Sequence, residues 1–414
     1  MAPSSDAQPG AATGKWLSVI GIGEGGVDDL GRAAHALISG AAVVFGGKRH
    51  LALAADLIRG EARAWPTPFD SEMSAVRALR GQNVCVLASG DPFLHGVGVT
   101  LARHIPAAEM TVIPAPSAFS LAASRLGWAL QDIETISLHG RPISLLRPLL
   151  ASGAHIIALT SDGDGPAAVA QLLTKLGFGG STMTVLEALG GARERISRQV
   201  AESFAMTGID ALNVVAIEVK AHADAPILCL TPGRAENLFQ HDGQITKREM
   251  RAVTLAALAP RRGELLLDIG AGSGSVSIEW MLAHASLRAI AVEADPARAA
   301  RIRVNADALG VPGLTIVERQ APDALAGLPA PDAIFVGGGG SDPGAMEAAI
   351  DLLKSGGRLV ANAVTLEMEA VLLAHRARLG GDLIRIGVSR AEPVGGMTGW
   401  RQAMPVTQWS WVKP

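Results

Sequence analysis

The chain has 414 residues, with 36 Lys and Arg against 39 Asp and Glu and a net charge of −3. That length exceeds one ordinary core and suits two or three domains, and a hydrophobic share of 49% excludes wholesale disorder. Up to position 230 there are 17 basic and 20 acidic residues, and 19 of each beyond it, so neither half offers the basic excess that a nucleic-acid partner requires.

In chain order, residues 1–14 are rich in Ala, Pro, Ser and Gly and lack the apolar core of a signal peptide, which predicts a disordered tail on a cytoplasmic protein. No stretch approaches the ~18 apolar residues of a membrane span, so no membrane partner is expected. A β-type run at Trp16–Ile20 ends in Gly21-Ile22-Gly23-Glu24-Gly25-Gly26. Apolar runs at 41–45, 84–88, 110–113, 155–160, 184–188 and 214–219 predict further strands, and 30–38, 118–126 and 167–176 read as helices between them. Alternating strands and helices predict α/β layers. Both cysteines, Cys85 and Cys229, fall in apolar runs that read as buried strands. They supply neither a disulfide framework nor a thiolate metal site. The ten histidines are scattered without ligand spacing, so no metal is expected.

The pattern changes over 221–246, which reads as a connection. Thr246-Lys247-Arg248-Glu249 has capping-box spacing and predicts a helix from about Lys247 to Leu258. The run 264–269 then enters Gly270-Ala271-Gly272-Ser273-Gly274, and later strands are expected at 289–292, 314–317, 333–336, 358–361 and 383–388.

A strand ending in Asp268 and turning through Gly270, Gly272 and Gly274 lets a helix start close beneath a ligand, because glycine permits positive φ and removes the Cβ. Dinucleotide folds use a related turn, but the third glycine here comes one position early and Ser275 stands where that fingerprint needs Gly. A second strand ends at Glu293, whose carboxylate is placed to accept ribose hydroxyls. This set resembles the Rossmann-like S-adenosylmethionine (SAM) methyltransferases. The resemblance implies that Gly270 and Gly272 border the methionine part, that Glu293 holds the ribose and that Gln320 and Ala321 lie by the adenine. Thr246, Asp268 and Gly274 belong to the same expected cofactor set. The Asn/Asp-Pro-Pro-Tyr/Phe box of base-amine methyltransferases is absent. Gly337–Gly340 stands there instead, which reads as room for a large flat substrate.

The first glycine turn is shared by NAD and FAD folds. Its companions are Ser89-Gly90-Asp91-Pro92 and Pro114-Ala115-Pro116-Ser117-Ala118, each after a strand. A Gly-Asp-Pro turn exposes backbone groups able to grip an amino acid's carboxylate and ammonium. Together these resemble the tetrapyrrole methylases, and Gly23, Gly90, Asp91, Pro92, Ser117 and Ala118 are the cofactor residues that the resemblance implies. That family's opening reads Gly-x-Gly-Pro-Gly-Asp, from which Glu24, Gly26 and Val27 depart.

The fusion in this order resembles the precorrin-6B C5,15-methyltransferases (decarboxylating) of aerobic cobalamin biosynthesis, over nearly the whole chain. Gly46-Gly47-Lys48-Arg49-His50-Leu51 and Pro331-Asp332-Ala333-Ile334-Phe335-Val336 add to that likeness. The fold implied is α/β throughout. A tail at 1–14 precedes an N-terminal tetrapyrrole-methylase fold of two α/β subdomains at 15–225. A linker or lid follows at 226–245, then a Rossmann-like methyltransferase at 246–414. The activity implied is methylation of C15 with loss of the C12 acetate carboxyl in the second half, then methylation of C5 in the first, with one SAM site in each half. The product that the resemblance implies is precorrin-8. His241 and Asp242 are candidates for the decarboxylation proton, and Arg141 for a catalytic role against the substrate's carboxylates. Arg49, Lys247, Arg248 and Arg251 are further carboxylate-binding candidates. A small-molecule tetrapyrrole partner and a homo-oligomer are expected. An RNA methyltransferase, a two-fold dehydrogenase and a non-catalytic tetrapyrrole carrier stand as alternatives.

Overall fold

The computed structural model describes residues 14–414, so the tail expected over 1–14 lies, but for Gly14, outside the described residues. The chain divides into two compact units, one of residues up to Arg141 with Ser152–Ala225, the other of Pro142–Ala151 with Pro226–Pro414.

In the first unit, β1 (Leu17–Ile22), β2 (Val43–Gly46), β3 (Glu61–Ala64), β4 (Val84–Ser89) and β5 (Met110–Ile113) form a parallel sheet of order β3-β2-β4-β1-β5. Leu17–Ile22 is buried along its whole length, as a strand covered on both faces must be. Gly21 has a packing reason: a Cβ there would stand 1.9 Å from the Gly90 carbonyl oxygen. A second sheet follows, built of β6 (Glu134–Ser137), β7 (His155–Leu159), β8 (Thr182–Glu187), β9 (Arg195–Val200) and β10 (Asn213–Glu218) in the order β6-β7-β10-β8-β9. Only its β6–β7 pair is parallel.

The second unit carries β11 (Leu265–Ile269), β12 (Arg288–Val292), β13 (Thr315–Val317), β14 (Ala333–Val336), β15 (Arg358–Ala363), β16 (Asp382–Ile386), β17 (Ser389–Val394), β18 (Met397–Gln402) and β19 (Val406–Val412). Seven of them make a sheet of order β13-β12-β11-β14-β15-β19-β16, parallel as far as β15 and antiparallel around β19; β17 and β18 pair as a separate hairpin. Strand order reverses between β11 and β14, and the crevice at such a switch point, beyond the carboxyl ends of the strands, is where open α/β sheets bind ligands.

Two local expectations differ. The helix Arg248–Leu258 forms, but Thr246 does not cap it: the N-cap is Lys247, without a side-chain bond. The Arg248 N–H donates to Glu236 at 3.1 Å, and Glu249 is drawn off to Arg390 at 2.5 Å. Partners distant in sequence displace the local box. Cys229 is exposed and lies in no strand, although Cys85 is buried in β4. The 228–230 run lies between Pro226 and Pro232 and joins no sheet.

Candidate active sites

In the second unit the turn after β11 lines a cavity of about 620 Å³. Gly270 and Gly272 have φ of +70° and +60°, a region costly for side chains. A Cβ on Gly270 would lie 2.5 Å from the Gly338 carbonyl oxygen, so Gly338 in the glycine run lets two turns touch. Gly274 begins the helix Ser275–Ala283 at φ +74°, with room for a Cβ only 2.7 Å from Ile302. The early third glycine is a packing requirement of this turn.

Glu293 braces the turn. One carboxylate oxygen accepts from the Gly272 N–H at 2.8 Å and the other from the Asp295 N–H at 3.0 Å. Beneath it, Asp268 is fully buried, and its Oδ2 accepts from the Ser277 hydroxyl at 2.6 Å and the Ser277 N–H at 3.2 Å. Its Oδ1 has no protein partner, and burial pushes the carboxyl up to about 6. Glycines that leave the turn open, a braced carboxylate and an orphaned acceptor below fit an adenosyl ligand carrying hydroxyl and ammonium donors.

The cavity is rimmed by Lys247, Arg298, Arg319 and Arg390. Arg390 pairs with Glu249; Lys247 and Arg319 have no carboxylate partner among the described residues, which suits them to an anionic substrate. Asn362 reaches the same space, fixed from behind by Thr254 at 3.0 Å and by Gln408, which donates to its oxygen at 2.9 Å.

In the first unit a cavity of about 640 Å³ lies between the two sheets, lined by the first glycine turn, the Gly90 turn and the start of the helix Ala118–Leu126. Gly90 sits at φ +53°, and the Asp91 carboxylate accepts from the Phe93 N–H at 2.8 Å, the tight turn that Gly-Asp-Pro predicts. Ser117 caps the Ala118 helix through the Ser120 N–H at 3.1 Å. Glu24 forms ion pairs with Arg49 and, at 3.5 Å, with Arg193.

Residues 17–205 match a family model described as tetrapyrrole (corrin/porphyrin) methylases, and 237–413 one described as a precorrin methyltransferase domain. A Sinorhizobium protein named precorrin-6Y C(5,15)-methyltransferase [decarboxylating] is 63% identical over 413 residues, covering 100% of both chains. The chain belongs to the precorrin-6Y C(5,15)-methyltransferase (decarboxylating) family. Two shorter Salmonella typhimurium proteins match parts of it. A cobalt-precorrin-7 C(5)-methyltransferase is 32% identical over 44% of this chain and 88% of its own length. A cobalt-precorrin-6B C(15)-methyltransferase (decarboxylating) is 35% identical over 36% of this chain and 80% of its own.

Within this methyltransferase framework the cavities gather most of the residues singled out from sequence. Gly23, Gly90, Asp91, Ser117, Ala118 and Arg141 line the first; Thr246, Gly270, Gly272, Glu293, Gln320 and Ala321 line the second. Pro92, Asp268 and Gly274 line neither cavity; Asp268 and Gly274 support the second turn from below. The two proton-donor candidates fare differently from expectation. His241 is exposed, its Nδ1 accepts from the Gly243 N–H at 3.1 Å, and it lines neither cavity. Asp242 is held well below the usual carboxylate range by the Gln244 N–H and by Arg301 and Arg298, each 3.0 Å away. An ionised carboxylate locked to two guanidiniums has no proton to give. Arg251 is corrected as well. It is fully buried, donates to Glu279 at 2.8 Å and stacks over Phe239 at 4.8 Å, so it braces the fold and reaches no substrate. Arg248 is exposed and lines neither cavity. Gly233 and Arg234, in the expected lid, are pinned to the same Glu279 through their N–H groups at 2.7 and 2.9 Å. Sequence reasoning missed Asn362, one position beyond the strand expected at 358–361, and the Ile386, Val388 and Met404 wall, because which residues of the late strands and their connections face the cavity depends on partners far along the chain.

Proposed function

We propose that the chain methylates C15 and C5 of precorrin-6B, the substrate its relatives' names give as precorrin-6Y, and removes the C12 acetate carboxyl as carbon dioxide, yielding precorrin-8. SAM, one molecule per unit, supplies the electrophilic methyl. The observation that carries this is the presence of two separate cavities, each opening on a glycine turn whose backbone cannot accept a side chain. In Salmonella the C(5) and C(15) activities bear the names of separate proteins, each matching less than half of this chain. That supports one activity per unit, and we assign C15 methylation and decarboxylation to the second on its Rossmann-like fold.

A meso carbon conjugated to pyrrole nitrogen is already an enamine nucleophile, so alignment and exclusion of water do most of the catalysis; proximity alone is worth about 7–11 kcal/mol. Gly270, Gly272 and Glu293 hold the cofactor in the second unit, with Gln320 and Ala321 at its base. Gly23, Gly90, Asp91, Ser117 and Ala118 do so in the first. Lys247 and Arg319 take the substrate's carboxylates in one cavity, and Arg141 in the other. Such chemistry belongs in the cytoplasm, where SAM is made.

The test is the mass of the product formed by the full chain from precorrin-6B and SAM. The reading expects two added methylene equivalents and loss of one carbon dioxide. Unchanged tetrapyrrole, with SAM bound, would overturn the substrate while leaving the methyltransferase fold intact.

A further inference from the structure

The first cavity holds a polar network that the proposed cofactor and carboxylate contacts leave unexplained. The Arg49 guanidinium, anchored to Glu24, donates from one nitrogen to His50 Nε2 at 2.9 Å and to the Ser89 hydroxyl oxygen at 3.0 Å. Ser89 Oγ also lies 2.8 Å from His50 Nε2. Arginine has no acceptor, so His50 Nε2 must accept and the ring proton resides on Nδ1. The Ser89 hydroxyl, already accepting from Arg49, donates to the same Nε2 lone pair, which the two donors share as a three-centre bond. His50 Nδ1 is buried without a protein partner, and burial with the adjacent Arg49 charge lowers the imidazole to about 4, so the ring is neutral.

The charged groups around this pair are Arg49 beside it, Glu24 from the first glycine turn and Arg193 on Glu24. Of the carboxylates lining the cavity, Glu24 is tied to those two guanidiniums and Asp91 caps its own turn. His95 and His139 also line it, but neither holds a hydrogen bond to a side chain among the described residues. Ser89 with His50 is thus the one base in this cavity that the protein has oriented.

We propose that the Ser89–His50 pair receives the proton released when the first unit methylates its tetrapyrrole, Ser89 as the catalytic group and His50 as its positioning partner. This rests on the assignment of a meso-carbon methylation to this cavity. There the carbon's π pair forms the bond to the methyl, sulfur keeps the pair of the breaking C–S bond, and the macrocycle carries one positive charge. The hydrogen on the methylated carbon then leaves as a proton to Ser89 Oγ while the Ser89 proton passes to Nε2. Conjugation is restored, and the products are a neutral macrocycle and an imidazolium. A weak base suffices, because a C–H next to an iminium is acidic, and an imidazolium beside Arg49 gives its proton back to solvent readily.

The experiment uses the full chain with SAM and precorrin-6B, comparing wild type with Ser89→Ala and His50→Gln. The glutamine oxygen still accepts from Arg49, so the network persists without a titratable ring. Both variants are expected to accumulate the once-methylated, decarboxylated species. The second methyl transfer should fall about 100-fold in kcat with KM within about threefold, the scale of a general base. Imidazole added to His50→Ala should restore part of the rate. Independently of turnover, ¹⁵N NMR of the ligand-free chain should show His50 protonated at Nδ1. Wild-type kcat in both variants, or an Nε2–H tautomer, would overturn the proposal. A wild type that leaves precorrin-6B unmethylated would instead overturn the substrate assignment, with the tautomer still measured.

Discussion

Glu279 sits at zero side-chain exposure in the second unit and takes the Gly233 and Arg234 N–H groups and the Arg251 guanidinium. Glu279→Gln removes the charge while leaving Arg234 and Arg251 buried, and breaking one side of such a pair costs about 3–5 kcal/mol. Urea unfolding of the variant should show a loss of that size; a loss below about 1 kcal/mol would mean the guanidiniums find water or other acceptors. Two other buried groups set opposite pH responses. Asp268 is raised from 3.8 to about 6, so the folded state binds the proton more tightly, and its contribution, full below about 4, is lost as pH rises to about 6. His50 is lowered from 6.5 to about 4, so its contribution is present above 6.5 and lost as pH falls toward 4. Each amounts to about 3 kcal/mol at most at 1.36 kcal/mol per pH unit. Asp268→Asn should therefore steepen the gain in stability of the chain between pH 4 and 6, and His50→Gln should flatten it, both read from unfolding midpoints across that range.

Elements differ in how far their causes lie along the chain. The β11 run Leu-Leu-Leu-Asp-Ile, buried at every position, and the glycine turn after it were legible because both follow from neighbours a few residues apart. The last strand was not. In Val406–Val412 both Thr407 and Gln408 are buried, on opposite faces of the strand, though they look like surface residues until Glu369 and Thr254, the latter 154 residues from Gln408, supply their partners. The same non-local pairing hid Asn362 and exchanged the expected Thr246 cap for Glu236. Site residues on turns could be named from sequence; those held by the far strands could not. The turn itself gives a graded prediction. Gly270→Ala must adopt positive φ and meets the rigid Gly338 backbone, whereas Gly274→Ala meets the movable Ile302 side chain. Calorimetry should find SAM affinity in the second unit reduced at least about tenfold, or 1.4 kcal/mol, by Gly270→Ala. Gly274→Ala should chiefly lower stability. Equal affinities would remove the turn from the cofactor site.

At the scale of the whole molecule, two units whose cavities are each lined by their own residues make an additive system, since sites without shared partners perturb independently. Gly90 and Gly272 provide the lever. Each has positive φ, with Pro116 oxygen 3.0 Å from a Cβ at Gly90 and Gln244 oxygen 3.1 Å from one at Gly272, so an arginine at either must project into its cavity or distort the turn. Wild type should bind two SAM per chain, each single variant one, and the double variant none. The product masses then assign the chemistry. If the second unit acts first, Gly272→Arg leaves precorrin-6B untouched, while Gly90→Arg releases the decarboxylated species with a single added methyl. A Gly272→Arg chain that still adds one methyl would show that the first unit accepts the substrate before decarboxylation, and would reverse the order while keeping both sites. Retention of both methyl transfers in either variant would instead detach that glycine turn from catalysis altogether.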